Sequence, residues 1–460
     1  MEQHQPNNDV LVVMVPLPLQ GHLNQLLHLT RIISTRGIQV YFFGSAIHNR
    51  QAKDRVHGWE PSTISNVHFQ DAQLPQITTP PPDPSNRFPP HLVPTLEATV
   101  HLREPLGALL RELASSARRV VVVHDSLMGF AAEEASFLSN AEAYSFIPCS
   151  SFSLLQAIWG FIDQSAFAES KVPKDILRVT FEDTHPKEFY GFSIRNSQYM
   201  QNTSGNILDT CEAIDGRFID ALIAAGFTKK KWAMGPFHPV TVDSPGSPPH
   251  HPCLEWLDKQ PASSVIYVSF GTLTSVSDEQ IAELAIGLES SEHPFIWVLR
   301  DADRGNIYEG EVRKPQLPEG FEERVKGVGM IVRDWAPQLQ ILAHSSTGGF
   351  MSHCGWNSCT ESLCMGVPIA AWPMMFDQPG NALLITQVLE AGLMVREWAR
   401  RGEVISSASI ESSIRKLMVL DEGNRMRKRA KEVAIDIHRA VSDGGTSTTQ
   451  LESFLAHISR

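Results

Sequence analysis

Residues 10–45 read VLVVMVPLPLQGHLNQLLHLTRIISTRGIQVYFFGS. Val10–Val15 is an unbroken apolar run, the pattern of a strand covered on both faces. After the turn Pro16-Leu17-Pro18-Leu19-Gln20-Gly21, the residues Leu23, Leu26, Leu27, Ile32 and Ile33 recur at helical spacing. Gly37 then predicts the C-terminal stop of that helix, and Ile38–Phe43 is apolar again. Strand, helix and strand in succession form the unit of a parallel sheet with helices on its faces.

The alternation continues outward from this unit. Arg119–His124, running into Asp125, and Ala141–Ile147 predict two more buried strands. Between them and the opening lies Pro75–Pro94, whose eight prolines predict irregular backbone. Residues 235–252, rich in Pro, Gly, Ser and His, predict an interdomain linker. Beyond it the pattern restarts with a strand at Val265–Ser269, a helix at Asp278–Ser290 and a strand at Phe295–Leu299. Short strands near Met330–Arg333, Gly349–Met351 and Pro368–Ala371 follow, and the last stretch is amphipathic and helical. The predicted fold is α/β with two doubly wound, Rossmann-like domains. The first spans 1–234 and the second 253–440, and a C-terminal helix at 441–460 packs back on the first. Two such sheets facing each other place their strand C-termini, and any ligand, in the crevice between them.

Composition excludes several classes. A formal charge of -12 over 460 residues argues against nucleic acid and anionic membrane, which need a basic face. Any phosphate ligand must then be held by local dipoles. The six cysteines form no Cys-x-x-Cys pair, so neither a zinc site nor a disulfide framework is predicted. Cys354, Cys359 and Cys364, five apart, predict positions on different faces of a helix. Residues 1–9 are polar, and Val10–Val15 is too short for a signal segment or a membrane span. The expectation is a cytoplasmic protein with reduced thiols and no stable membrane insertion, in which the sequon at Asn202 has no role.

The most specific chemistry lies in Trp335–Gln378: WAPQLQILAHSSTGGFMSHCGWNSCTESLCMGVPIAAWPMMFDQ. Gly355 opens a helix through Ser358 to Cys364, whose free N–H groups and positive dipole end suit a diphosphate. His353, Asn357 and Ser358 add side-chain donors. Trp335, beside Ala336-Pro337-Gln338, offers an indole face on which a base can stack. Glu361 has two acceptor oxygens suited to two ribose hydroxyls. Asp377 and Gln378, placed at the end of another strand, suit sugar hydroxyls. Two plainer readings stand beside these. Ser358-Cys359-Thr360-Glu361 is also a capping box, and a tryptophan is more often core than platform.

This stretch closely resembles the signature box of plant secondary-product glycosyltransferases, which are UDP-sugar-dependent. The match includes Trp335-Ala336-Pro337-Gln338, His344, His353-Cys354-Gly355-Trp356-Asn357-Ser358, Glu361, Gly366-Val367-Pro368 and Asp377-Gln378. The resemblance implies the two-domain GT-B fold and an inverting transfer. Its donor contacts fall here on Thr272, Trp335, Ala336, Gln338, His353, Trp356, Asn357, Ser358, Glu361, Asp377 and Gln378. Thr272 belongs to Ser269-Phe270-Gly271-Thr272, similar to the family's phosphate-contacting loop. In the family, Gln at the last position of the box accompanies glucose, so Gln378 implies UDP-glucose as co-substrate.

Gln20-Gly21-His22 follows the first strand, and Asp125 ends the Arg119–His124 strand. Both fall on the rim where ligands bind in such sheets, which suits a base and its orienting carboxylate. In isolation, a histidine there is a turn residue and an aspartate a helix cap. The family resemblance assigns the catalytic pair to His22 and Asp125. His124 predicts a side chain on the opposite face.

The resemblance extends along the chain to the zeatin O-glucosyltransferase group. Residues 21–29 (GHLNQLLHL), 48–52 (HNRQA), 101–105 (HLREP) and 124–128 (HDSLM) carry it, with Gln25 where many relatives have Pro. It implies zeatin, cis or trans, as the acceptor alcohol. A flavonoid or terpenoid alcohol, or UDP-xylose as donor, remains the alternative within the same chemistry. No metal is needed in this account, and no cofactor is implied.

Three other classes are disfavoured. A serine hydrolase wants Gly-x-Ser-x-Gly, and Ser352 lacks that spacing. A dinucleotide enzyme wants Gly-x-Gly-x-x-Gly after the first strand, where this chain has two prolines. A catalytically silent hormone-binding protein has no need of His22 and Asp125.

Overall fold

The computed structural model describes residues 10–56, 59–75, 88–162, 174–179, 181–226, 230–240, 251–273, 276–300 and 314–460. Much of the proline-rich loop, 76–87, and of the predicted linker, 241–250, lies outside them.

The first sheet contains β1 (Val10–Val15), β2 (Gln39–Ser45), β3 (Val67–Ala72), β4 (Arg119–Asp125), β5 (Ala141–Ile147), β6 (Thr203–Leu208) and β7 (Lys231–Ala233). The second contains β8 (Val265–Ser269), β9 (Phe295–Val298), β10 (Gly329–Val332), β11 (Thr347–Ser352), β12 (Ile369–Ala371) and β13 (Gly392–Met394). Their orders are β3-β2-β1-β4-β5-β6-β7 and β10-β9-β8-β11-β12-β13. Every strand pair is parallel. This is the doubly wound pattern twice over, the GT-B layout.

β1 shows why its sequence has no polar alternation. Leu11, Val13 and Val15 enter one core with Val120 and Val122 of β4. Val10, Val12 and Met14 enter the core on the other face, with Val121 and Val123. A strand buried on both sides needs apolar residues at every position.

Strand order also fixes where ligands go. In each sheet the winding reverses once, between β1 and β4 in the first and between β8 and β11 in the second. A crevice opens at such a reversal because the flanking helices leave in opposite directions. β1 and β4 are in register to their ends, Val15 opposite His124. β8 and β11 likewise end together, Ser269 opposite Ser352. Asp125 ends β4, and the segments leaving β1, β8 and β11 carry His22, Thr272 and His353.

Three local expectations are corrected. Pro94 lies in a helix, Leu92–Ala98, although the proline content of 75–94 predicted none. It is the third helical residue, where an N–H has no intrahelical partner to lose. Ser358 does not cap a helix: the helix Trp356–Cys364 has Gly355 as N-cap, with no side-chain bond. Cys354 precedes that helix and only Cys359 and Cys364 lie in it, all three buried.

The two sheets are joined by a shared core. Phe152, Leu155, Cys211 and Phe218 pack with Cys354, Trp356, Leu363 and Ala382. The last helix, Thr446–Ile458, returns to the first sheet, where Phe454, Leu455 and Ile458 join Tyr144 and Trp232. Arg119, which begins β4, donates to the carbonyls of His457 and Ile458 at 3.0 Å, filling acceptors that a helix end leaves free. Among the described residues no helix is long and apolar enough to cross a membrane.

Candidate active site

His22 lies in the first turn of the helix Gln20–Ser34, which leaves β1 through the proline turn. Its Nδ1 is 2.6 Å from Oδ2 of Asp125, the last residue of β4. Asp125 is wholly buried, while the His22 side chain keeps 25% of its surface. Oδ1 of Asp125 accepts the Leu127 N–H at 2.9 Å, so both oxygens are committed. Burial works against a charged imidazole at His22. The carboxylate of Asp125, its hydrogen bond and the charge of Asp377 outweigh it, holding the pKa above 6.5. Because Asp125 accepts from Nδ1, the lone pair left to take a proton is that of Nε2. His124 is buried, its Nδ1 on the carbonyl of Asp125, and burial pushes its pKa down.

The opposite wall is the N-terminus of the helix Trp356–Cys364. It meets the first domain directly: Asn357 Nδ2 donates to the Gly21 carbonyl at 2.9 Å. One amide N–H of Asn357 is thereby spent on the residue next to His22. The indole of Trp356 is buried and donates to the Asp209 carbonyl at 2.6 Å, so its side chain supports the wall from behind. His353 sits between two backbones. A Cβ on Gly271 or Gly355 would lie 2.6 Å or 2.5 Å from its Nε2, and Gly271 has φ +78°. The positive φ at Gly271 calls for glycine, and at either place a larger residue would have to displace the His353 ring. Burial pushes the His353 pKa down to about 4 despite a hydrogen bond to the Ser269 backbone. At neutral pH it offers a polar ring without charge. Thr272 follows Gly271 and is exposed.

Gln338 organises the next group. Its Nε2 donates to Ser358 Oγ at 3.0 Å and to Glu361 Oε2 at 2.8 Å. Its Oε1 accepts from Tyr267 Oη at 3.3 Å. Burial raises the Glu361 pKa to about 7, against the lowering effect of Gln338. Ala336 is buried beneath this group, and Trp335 is 36% exposed, its ring edge-on to His251.

Asp377 and Gln378 open the helix Gln378–Leu383, Asp377 as its N-cap residue. They follow β12 at a distance, across a loop in which Phe376 has φ +54°. Gln378 Oε1 accepts the N–H groups of Met374 and Met375 at 2.8 and 2.9 Å, pinning that loop. Asp377 is near enough to His22 for each to favour the other's charged form, yet burial leaves its own pKa raised. Phe376 packs edge-on to Phe189 of the first domain, ring centroids 5.0 Å apart, and lies against the first sheet's core.

Tyr267, Phe376 and Asn381 stand at this site without having been read from the sequence. Asp377-x-x-x-Asn381, a helical i,i+4 pair, was the one local signal for Asn381. Among the described residues no cluster of three His, Cys, Asp or Glu could hold a metal ion.

Known proteins share both halves of this arrangement. Residues 8–239 match the family described as "Glycosyltransferase, N-terminal domain". Residues 244–423 match "UDP-glucoronosyl and UDP-glucosyl transferase". The zeatin O-glucosyltransferase of Phaseolus lunatus is 48% identical, over 98% of this chain and 97% of its own. The zeatin O-xylosyltransferase of Phaseolus vulgaris is 47% identical, over 98% of each chain. A UDP-glucosyltransferase from Polygonum tinctorium capable of glucosylating indoxyl, solved with 3,4-dichloroaniline, superposes with a TM-score of 0.79 at 26% identity. That alignment covers 98% of this chain and 99% of the other. With both domains matched and full-length relatives this similar, the chain belongs to the UDP-glucuronosyl and UDP-glucosyl transferase family.

Proposed function

We propose that this protein transfers glucose from UDP-glucose to the side-chain hydroxyl of zeatin, with inversion, giving an O-β-glucoside. The observation that carries the reading is the bond from Asn357 to the Gly21 carbonyl. It sets the helix N-terminus of one domain against the residue beside the base of the other. A diphosphate on that helix then has its sugar at the mouth of His22.

The acceptor hydroxyl loses its proton to His22 Nε2 as its oxygen bonds to the anomeric carbon. The bond from that carbon to the UDP oxygen breaks, and the electron pair leaves with UDP. Asp125 stabilises the imidazolium that forms. The helix dipole, Ser358, Thr272 and the neutral ring of His353 receive the charge developing on the diphosphate. Trp335 and Ala336 hold the uracil, Gln338 and Glu361 the ribose, and Asp377 and Gln378 the glucose. Residues 1–234 form the acceptor domain and 253–440 the donor domain. All six cysteines are free thiols, which supports a reducing, cytoplasmic location.

Glucose as donor and zeatin as acceptor rest on the identity to the Phaseolus lunatus enzyme. The nearly equal identity to the zeatin O-xylosyltransferase favours a second reading with UDP-xylose. An acceptor screen separates them: cis- and trans-zeatin, flavonols and terpenoid alcohols, each with UDP-glucose and UDP-xylose, in excess EDTA. Zeatin O-glucoside as the dominant product supports the proposal. Dominant xyloside replaces the donor, and product from flavonols alone overturns the acceptor.

A further inference from the structure

Asn381 is fully buried one helical turn beyond Asp377. Its Nδ2 donates to Asp377 Oδ2 at 2.8 Å and to the Cys354 carbonyl at 3.0 Å. Its Oδ1 accepts from Ser150 Oγ at 3.0 Å and from Ser153 Oγ at 2.8 Å. A side-chain amide has two N–H donors and two lone pairs, so no capacity is left over. The orientation of the amide is fixed by its partners: a carboxylate and a carbonyl can only accept, and the hydroxyls supply the donors.

These partners come from three places. Asp377 stands on the cleft beside His22. Cys354, with φ +63°, leads into Gly355 and the helix that faces the diphosphate. Ser150 and Ser153 belong to the first domain, at the N-terminus of the helix Ser151–Ile158, which Ser150 caps through the Ser153 N–H. The two domains are in close contact here: a Cβ on Gly380 would lie 2.6 Å from Ser153 Oγ. The bond from Asn381 also opposes burial in setting the charge of Asp377.

We propose that Asn381 is a positioning residue that orients the Asp377 carboxylate toward the sugar only while Ser150 and Ser153 of the other domain are docked on it. Domain closure and readiness of the sugar site are then a single event. A donor bound to an open molecule would meet a misaligned carboxylate, which limits transfer to water when no acceptor domain is seated. This inference rests on the reading of Asp377 as a sugar contact.

A double-mutant cycle with Asp377→Ala and Asn381→Ala tests both. Turnover with UDP-glucose is measured beside UDP affinity by calorimetry and thermal unfolding. Asp377→Ala should lower turnover by roughly 10²–10³-fold, as does loss of a group aimed at the reacting centre. Asn381→Ala should lower it by roughly 10–100-fold, the range for a residue that orients another, with UDP affinity unchanged within about threefold. The double variant should lose no more than Asp377→Ala, because coupled residues are not additive. Ser153→Ala, a smaller change that leaves the donor domain intact, should lower turnover at unchanged UDP affinity. Additive losses, or turnover and UDP affinity falling together, overturn the role of Asn381 while sparing Asp377. Full turnover in Ser153→Ala also overturns it, even if Asn381→Ala fails to fold. Full turnover in Asp377→Ala overturns the sugar reading and this inference together.

Discussion

His22 Nδ1 and Asp125 Oδ2 stand 2.6 Å apart across 103 residues of sequence. The contact exists because β1 and β4 are neighbours that end together, and the chain turns away from the sheet at both ends. Asp125 has no other orientation open to it, since its second oxygen holds the Leu127 N–H. The imidazole is therefore fixed in tautomer and direction before any substrate arrives.

Replacing His22 with alanine should remove transfer and spare the donor. Loss of a positioned base costs roughly 10²–10⁴-fold in rate. The residues assigned to UDP lie in the other domain, so calorimetric affinity for UDP should stay within about twofold. Retention of more than a few per cent of turnover would show that another group takes the proton.

The pH profile should report the Asp125 charge. His22 acts as a base only when neutral, and its pKa is held above 6.5, so activity should fall with acid through a pKa above that value. In Asp125→Asn the charge is gone and burial remains, so the acid limb should move to lower pH as the maximum rate drops. The effect on stability runs the other way. A raised histidine pKa contributes stability that is fully present below 6.5 and is lost as pH rises through the folded-state value. The melting temperature lost in Asp125→Asn should thus be larger at acid pH than at alkaline pH. An unmoved acid limb would assign it to a different group.

Glu361 should release a proton when the donor binds. Its pKa of about 7 leaves it partly protonated at neutral pH, and ribose hydroxyls donating to it would favour the carboxylate. UDP-glucose affinity should then strengthen as pH rises through 7. Binding enthalpy at pH 7 should also change with the ionisation enthalpy of the buffer. Glu361→Gln should abolish the buffer dependence. A wild-type enthalpy that is the same in every buffer would remove Glu361 from the ribose site.

Gln378→Ala should damage both sugar choice and stability, for different reasons. The loss of an acceptor shared by the Met374 and Met375 N–H groups costs about 1–3 kcal/mol of folding stability. The loss of its amide N–H groups should lower transfer from UDP-glucose and narrow its margin over UDP-galactose. Competition between the two donors at equal concentration measures the second effect, and chemical denaturation the first. An unchanged donor ratio in a destabilised variant would leave Gln378 with the loop alone.

The sequence was most legible where a strand is buried on both faces. β1, β5 and β8 begin and end at the residues the sequence predicted for them. β3 and β6 were not read as strands because their residues are partly exposed and mixed in polarity, HFQD in one and TSGN in the other. β7 and β13 have three residues each, too few for any periodicity. Within the site, motif residues with local neighbours were readable, and roles created by distant contacts were not. The Trp356 indole is tied to the Asp209 carbonyl, a partner 147 residues earlier that no local pattern announces. Asn381 takes its meaning from Ser150 and Ser153, more than two hundred residues earlier in the chain, and no spacing rule reaches that far.

The return of the helix Thr446–Ile458 to the first sheet has a consequence for biosynthesis. β1 leaves the ribosome early, yet Phe454, Leu455 and Ile458 cover part of the same face as Val10, Val12 and Met14. At about 5–20 residues per second, the intervening chain takes from roughly twenty to ninety seconds to appear. Through that interval the sheet that carries His22 is nascent and unroofed. The second sheet, whose strands are all made before the last helix, can close first. The half of the enzyme translated first is therefore the half completed last, and a chaperone that shields the exposed face has the whole of elongation in which to bind it.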